Sequence, residues 1–195
     1  MSKKSVYSLI GAALFLALSA YVFTRYLAYN EVLVINHGIQ FNDPLMNVLP
    51  ARDMSVFIFA ITYGSMITYA FLERNTPLFV HRIFIAYGVL LWFRLVALWL
   101  VPLCVPEDYI LLNDPFLNNL IYPGDIAADL FFSGHAGLLF VMFFLSKKWI
   151  FLILGIVLSI FLMMQRAHYS IDVIAAFPFA FLIVKTTNIL TTRIQ

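Results

Sequence analysis

IFIAYGVLLWFRLVALWLV, residues 83–101, carries one charged side chain, Arg94, in an otherwise apolar run. At the helical rise this stretch is about 28 Å long, close to the roughly 30 Å hydrocarbon core of a bilayer. Five further apolar stretches flank it, at residues 6–24, 54–72, 130–145, 149–165 and 171–189. The two beginning at 130 and 149 are short, and only Ser146, Lys147 and Lys148 part them, which predicts a tight antiparallel hairpin. No internal repeat, low-complexity tract or long flexible linker divides the chain. The expected fold is an all-α integral membrane protein, a six-transmembrane-helix bundle forming one domain over residues 1–195.

The composition agrees: 63% of the residues are hydrophobic and 11% charged, where a soluble domain is nearer half and a quarter. A formal charge of only +2 leaves no clustered basic surface for nucleic acid. Twenty Phe and a single Cys argue against disorder and against a disulfide scaffold. No charged heptads suggest a coiled coil.

Orientation follows from the cations. With both termini cytoplasmic, Lys3, Lys4, Arg74, Arg82, Lys147, Lys148, Lys185 and Arg193 face the cytoplasm, and Arg25, Arg52 and Arg166 face outwards. Of the carboxylates, Glu73 alone falls on the cytoplasmic side. Ala17-Leu18-Ser19-Ala20 faintly resembles a signal-peptidase site. The apolar run continues through Phe23, so the first helix is expected to remain uncleaved. The two outer loops, residues 25–53 and 102–129, hold Pro44, Pro50, Pro102, Pro106, Pro115 and Pro123. They are expected to be rigid, irregular and ordered over a site. Cys104 has nothing basic near it in sequence and reads as a small filler residue.

Ionisable groups in or beside apolar spans are where function is read in membrane proteins. Here they are Arg94, Asp129, His135, His168 and Asp172. Ser133-Gly134-His135 stands at the outer start of a helix. There Ser can cap, Gly admits a close approach, and free amides with the helix dipole favour an anion. Taken alone, Ser133 as a plain N-cap and His135 as an interfacial polar residue explain that triplet better, since three-residue motifs recur by chance. His168 and Asp172 are four apart, so on a helix starting near Ala167 they share a face. The Asp then accepts the imidazole proton and fixes the tautomer, leaving the other nitrogen more nucleophilic. The blander reading is a satisfied polar pair at a helix start. Two histidines and a carboxylate at one depth, beside a helix N-terminus, favour chemistry.

The segments Asp129-Leu130-Phe131-Phe132-Ser133-Gly134-His135 and His168-Tyr169-Ser170-Ile171-Asp172-Val173 together resemble the sphingomyelin synthase family. That family lies within the type 2 phosphatidic acid phosphatase superfamily. Arg94, ahead of Pro102 and Pro106, resembles the family's third helix, so the likeness runs from the third span to the sixth. The phosphatase branch carries an Arg six residues before the second His, where this chain has Leu162, and often a Pro before Ser-Gly-His, where it has Phe132. Both departures favour the synthase branch, and the missing N-terminal domain suggests a compact, bacterial, inner-membrane member.

What the resemblance implies is a lipid phosphotransferase with its site at the extracytoplasmic face. His168 is the nucleophile that forms a phosphohistidine, Asp172 orients it, and His135 is the acid and then the base. Arg94, Ser133, Gly134 and Tyr169 lie on the phosphate side, with Asp129 either holding a cationic head group or positioning His135. The other reading of Asp129 is a helix-start carboxylate favoured by the dipole. The implied donor is a phospholipid, the acceptor ceramide, diacylglycerol or water, and no metal or other cofactor is implied. With water as acceptor the same residues make a lipid phosphatase or phospholipase C-like hydrolase. A non-catalytic lipid-binding or transport protein is the alternative of another class. It would be expected to have lost one of the three residues.

Overall fold

The computed structural model describes residues 3–76, 78–112, 114 and 127–192. Pro115, Pro123 and Arg193 fall outside the described residues, as do the side chains of Lys3 and Lys4. The chain folds as α1 (Lys3–His37), α2 (Pro44–Val48), α3 (Ser55–Glu73), α4 (Phe79–Leu100), α5 (Gly134–Ser146), α6 (Trp149–Met164) and α7 (Ser170–Thr192), with no strand among the described residues. Four helices, α1, α3, α4 and α7, are long and apolar enough to cross a membrane, while α5 and α6 are shorter apolar helices.

α1 packs along α4, α5 lies between α6 and α7, α4 closes against α7, and α3 leans on α6 and α5. Leu90, Leu139, Leu158, Ala176, Ala180 and Ile183 are almost wholly buried at the centre. The exposed large side chains include Leu14, Ile67, Trp99, Ile153 and Ile174. An apolar exterior of this kind suits a hydrocarbon solvent.

Three boundaries differ from the sequence reading. α1 runs to His37 rather than ending at Thr24, and its 35 residues rise about 52 Å, well beyond a hydrocarbon core. The first expected outer loop is therefore partly helical. Within it Pro44 opens the short α2, where a missing N–H costs nothing, and Asp43 caps it by accepting from Leu45 N and Met46 N. α5 begins at Gly134, not Leu130. Residues 130–132 are apolar, Leu130 and Phe132 buried and Phe131 half-buried, but the chain enters the helix only after Ser133, whose Oγ accepts from Ala136 N at 3.4 Å. Apolarity measures burial there, not helicity. Finally, α7 begins at Ser170, so His168 precedes the helix.

The hairpin between α5 and α6 is as tight as expected. Lys147 takes a left-handed conformation, φ 60°, and returns its N–H to Phe143 O, a common helix stop.

At the opposite end of the bundle the long connections join. Ile39 N donates to Pro102 O at 2.7 Å and Cys104 N to Ile39 O at 2.9 Å, a parallel bridge between Ile39 and Leu103. Gly38 is required here, since a Cβ would press on Val34 O and on Cys104 Sγ.

Candidate active site at the loop end

The turn from α6 into α7, residues 165–169, is buried throughout, and both loops are tied to it. Gln165, 0% exposed, donates from Nε2 to Ser55 Oγ, Ile110 O and Leu111 O. Its Oε1 accepts from Met54 N. Arg166, with φ 58°, ion-pairs with Asp108 at 2.8 Å and donates to Met46 O and Leu49 O. A left-handed non-glycine costs about 1–2 kcal/mol, and these bonds hold it. Tyr169 is 1% exposed and donates its hydroxyl to Cys104 O at 2.9 Å. Burial, with Asp172 beside it, pushes its phenol up to about 12, so it remains a donor at neutral pH.

His168 sits inside this turn and is buried. Its Nδ1 lies 3.4 Å from Asp172 Oδ2, and the same oxygen accepts from Tyr169 N at 2.9 Å. Asp172 is thus the third residue of α7 reaching back to the capping position, as in a capping box. The expected His–Asp pair forms through this cap rather than along one helical face. With the proton on Nδ1, the carboxylate accepts it and Nε2 carries the lone pair. Asp172 is 0% exposed, and its Oδ1 has no partner among the described residues.

The start of α5 is bound directly to this pair: Ser133 N donates to Asp172 O at 3.1 Å. The first amides of a helix have no intrahelical acceptor. Ser133 satisfies that of Ala136, so those of Gly134 and His135 open the helix. Arg94 approaches from α4. It donates from Nε to Phe132 O at 3.0 Å and pairs through Nη2 with Asp129 Oδ1 at 2.5 Å. Its Nη1 side abuts Gly134, where any Cβ would collide with the guanidinium. Asp129 lies well before α5, which removes its reading as a helix-start carboxylate. Its carboxylate is engaged by Arg94. His135 stands edge-on to Phe59, with ring centroids 5.9 Å apart. His168, Arg94, Asp129 and Asp114 all lie within its coulombic reach.

Every residue singled out in the sequence therefore belongs to one neighbourhood. Tyr169 enters it through its backbone and the turn, with its hydroxyl directed at Cys104. Several contributors carried no motif. Asn30 and Glu31 on the overlong α1 grip the segment leading to Asp129. Glu31 Oε1 accepts from Ala127 N and Ala128 N, and Asn30 Nδ2 donates to Ala128 O at 2.7 Å. Asp43 accepts from Ser170 N and from Ser170 Oγ at 3.0 Å. Tyr63 donates to Asp114 and stacks on Phe59. Only Asp43-Pro44 bore a readable signal, an Asp cap followed by Pro at the first helical position. Among the described residues no three His, Cys, Asp or Glu side chains group as a metal site needs.

No family model matches the chain, and no curated protein or solved structure is significantly similar to it.

Proposed function

We propose that this protein is a membrane lipid phosphotransferase that moves a phospho-head-group between lipids through a phosphohistidine. The observation carrying the proposal is the junction of His168, its carboxylate partner Asp172 and the start of α5. Ser133 N on Asp172 O puts a paired imidazole beside a helix N-terminus already approached by Arg94. Nucleophile, orienting base and anion-binding donors are the set that phosphoryl transfer needs.

In the first step His168 Nε2 attacks phosphorus, and the bond from phosphorus to the glycerolipid oxygen breaks. His135 gives its proton to the departing alkoxide, and Asp172 stabilises the cationic imidazole. In the second, His135 takes the proton of the acceptor hydroxyl, whose oxygen attacks phosphorus. The P–N bond breaks, and its electron pair returns to Nε2. Arg94 and the α5 amides stabilise the charge on the equatorial oxygens. Asp129 sets the guanidinium in place.

The acceptor is a lipid hydroxyl, of ceramide or diacylglycerol; water in the same position makes the protein a hydrolase. In this reading all six apolar helices, α1 and α3 to α7, cross the bilayer, both termini are cytoplasmic, and the site opens at the outer face of a bacterial plasma membrane. The cation distribution supports this orientation. α5 and α6 are about 20 and 24 Å long by their helical rise, and residues 130–133 carry the chain further ahead of α5.

The test incubates the purified protein in vesicles with head-group-labelled phosphatidylcholine or phosphatidylethanolamine, with ceramide, with diacylglycerol or with neither. Labelled head group on the added lipid is expected, and its loss in His168→Ala. Water-soluble label alone identifies hydrolysis. An unimpaired His168→Ala, or no product from any donor, overturns the proposal.

A further inference from the structure

Beside the candidate site, but on the outside of the bundle, a groove of about 690 Å³ follows the seam between α6 and α7. One wall is the α6 stripe Leu152, Ile156, Ile160 and Met163, spaced for a single helical face. The other wall is Ile171 and Ile174 of α7. Half-buried Ala175, Phe140 of α5 and Ser159 line it between them. The one hydroxyl among these, on Ser159, is turned inward and donates to Gly155 O at 2.8 Å. The lining is therefore hydrocarbon.

From the rest of that seam we propose that the groove holds one acyl chain of the outer-leaflet phospholipid whose phosphate is handled at His168, an inference that rests on the function proposed above. Three observations select this occupant. The groove's upper end is formed by Met163 and Ile171, the residues bracketing the turn that contains His168, so it ends beside that turn. From Met163 down to Leu152 are about three turns of helix, roughly 16 Å, which matches half of the roughly 30 Å hydrocarbon core. A chain anchored by its head group at the turn fills one leaflet's depth and no more. The rim residues Ile156, Ile160, Ile171 and Ile174 are exposed, so the groove opens sideways, and a lipid enters it from the bilayer without leaving hydrocarbon. Pro178, also on the lining, interrupts the α7 hydrogen-bond ladder at the groove's lower end.

The experiment uses the full chain in phosphatidylcholine vesicles with two photoreactive phosphatidylcholines. One bears a diazirine beside the ester of one chain, the other at that chain's end. The first is expected to label near Met163 and Ile171, the second near Leu152 and Ile156, and both labels should fall at least about tenfold in Ala175→Phe. Equal labelling of Leu14 on α1 or Ile67 on α3 would overturn the inference. This readout needs no turnover, so the labelling pattern tests the groove even if the enzyme reading fails. Where turnover is present, Ala175→Phe should raise KM for long-chain phosphatidylcholine about tenfold and leave a dihexanoyl analogue unchanged. Equal losses on both substrates would overturn the groove and leave the chemistry standing.

Discussion

Asp43 and Ser170, 127 positions apart, meet twice: the carboxylate accepts both the backbone N–H and the hydroxyl of the residue that opens α7. The same carboxylate caps α2, so one side chain starts two helices and ties the first loop to the turn holding His168. Burial works to raise its pKa, but the hydrogen bonds from Ser170, Met46 and Leu45 prevail and hold it below the usual carboxylate value. A folded pKa below the unfolded one means stability that is fully present above about pH 4 and is lost as pH falls through the folded value. Thermal unfolding in detergent should therefore show the wild type losing stability on acidification below that point. Asp43→Ala should be less stable at neutral pH and lose less further on acidification. Parallel pH curves for the two proteins would refute this role.

Arg94 and Asp129 are argued to act as a unit. The Arg side chain is 7% exposed and the Asp 30%, so removing one partner leaves a charge poorly solvated. A double-mutant cycle with Arg94→Ala and Asp129→Ala should give a coupling of about 1–3 kcal/mol. Additive losses would mean the pair is incidental.

Gly134→Ala tests the approach of Arg94 to α5 without touching a charge. The added methyl meets the guanidinium, while Ala is the better helix former. The variant should remain folded, as judged by circular dichroism, and lose transferase activity by roughly tenfold or more. Retained activity would place the phosphate elsewhere.

Asp172→Asn keeps an oxygen for Tyr169 N but removes the charge facing His168. Activity should fall by roughly a hundredfold or more, with stability changed by less than about 1 kcal/mol. A large stability loss with the residual rate per folded molecule unchanged would make Asp172 a cap and nothing else.

Part of this was legible in the sequence. Long apolar runs gave α3 and α6 almost to the residue and α4 and α7 to within four, because a helix must satisfy its own backbone in an apolar surrounding. The same criterion misjudged residues 130–133, which are apolar or buried but lie ahead of the helix, and stopped α1 short at Thr24, where Arg25, Asn30 and Glu31 interrupt hydropathy without interrupting the helix. The candidate site residues were visible because their spacing is local: Ser133 to His135, His168 to Asp172. Glu31 and Gln165 were not, since each finds its side-chain partners roughly fifty to one hundred and ten positions away, a distance no periodicity encodes, and Asp43 was legible as the cap of α2 but not as the partner of Ser170. Arg166 was read only as one of three cations facing outwards. Its meaning lies in the two loops that it fastens.

That fastening is itself testable. Arg166→Ala removes bonds to Met46 O, Leu49 O and Asp108 while leaving the helices intact. Limited proteolysis should cut the variant in residues 38–54 or 102–112 at least several-fold faster than the wild type. Unchanged cleavage would mean the loops are held by other means.

The turn between α6 and α7 places His168 between Arg166, which grips one loop and Asp108 of the other, and Tyr169, which holds Cys104. Loop position and imidazole position are consequently a single mechanical variable. If either loop swings away, the histidine's flanks move with it. Admission of substrate from above and readiness to react would thus exclude each other, leaving the flank of the bundle as the doorway that can open while the machinery stays assembled.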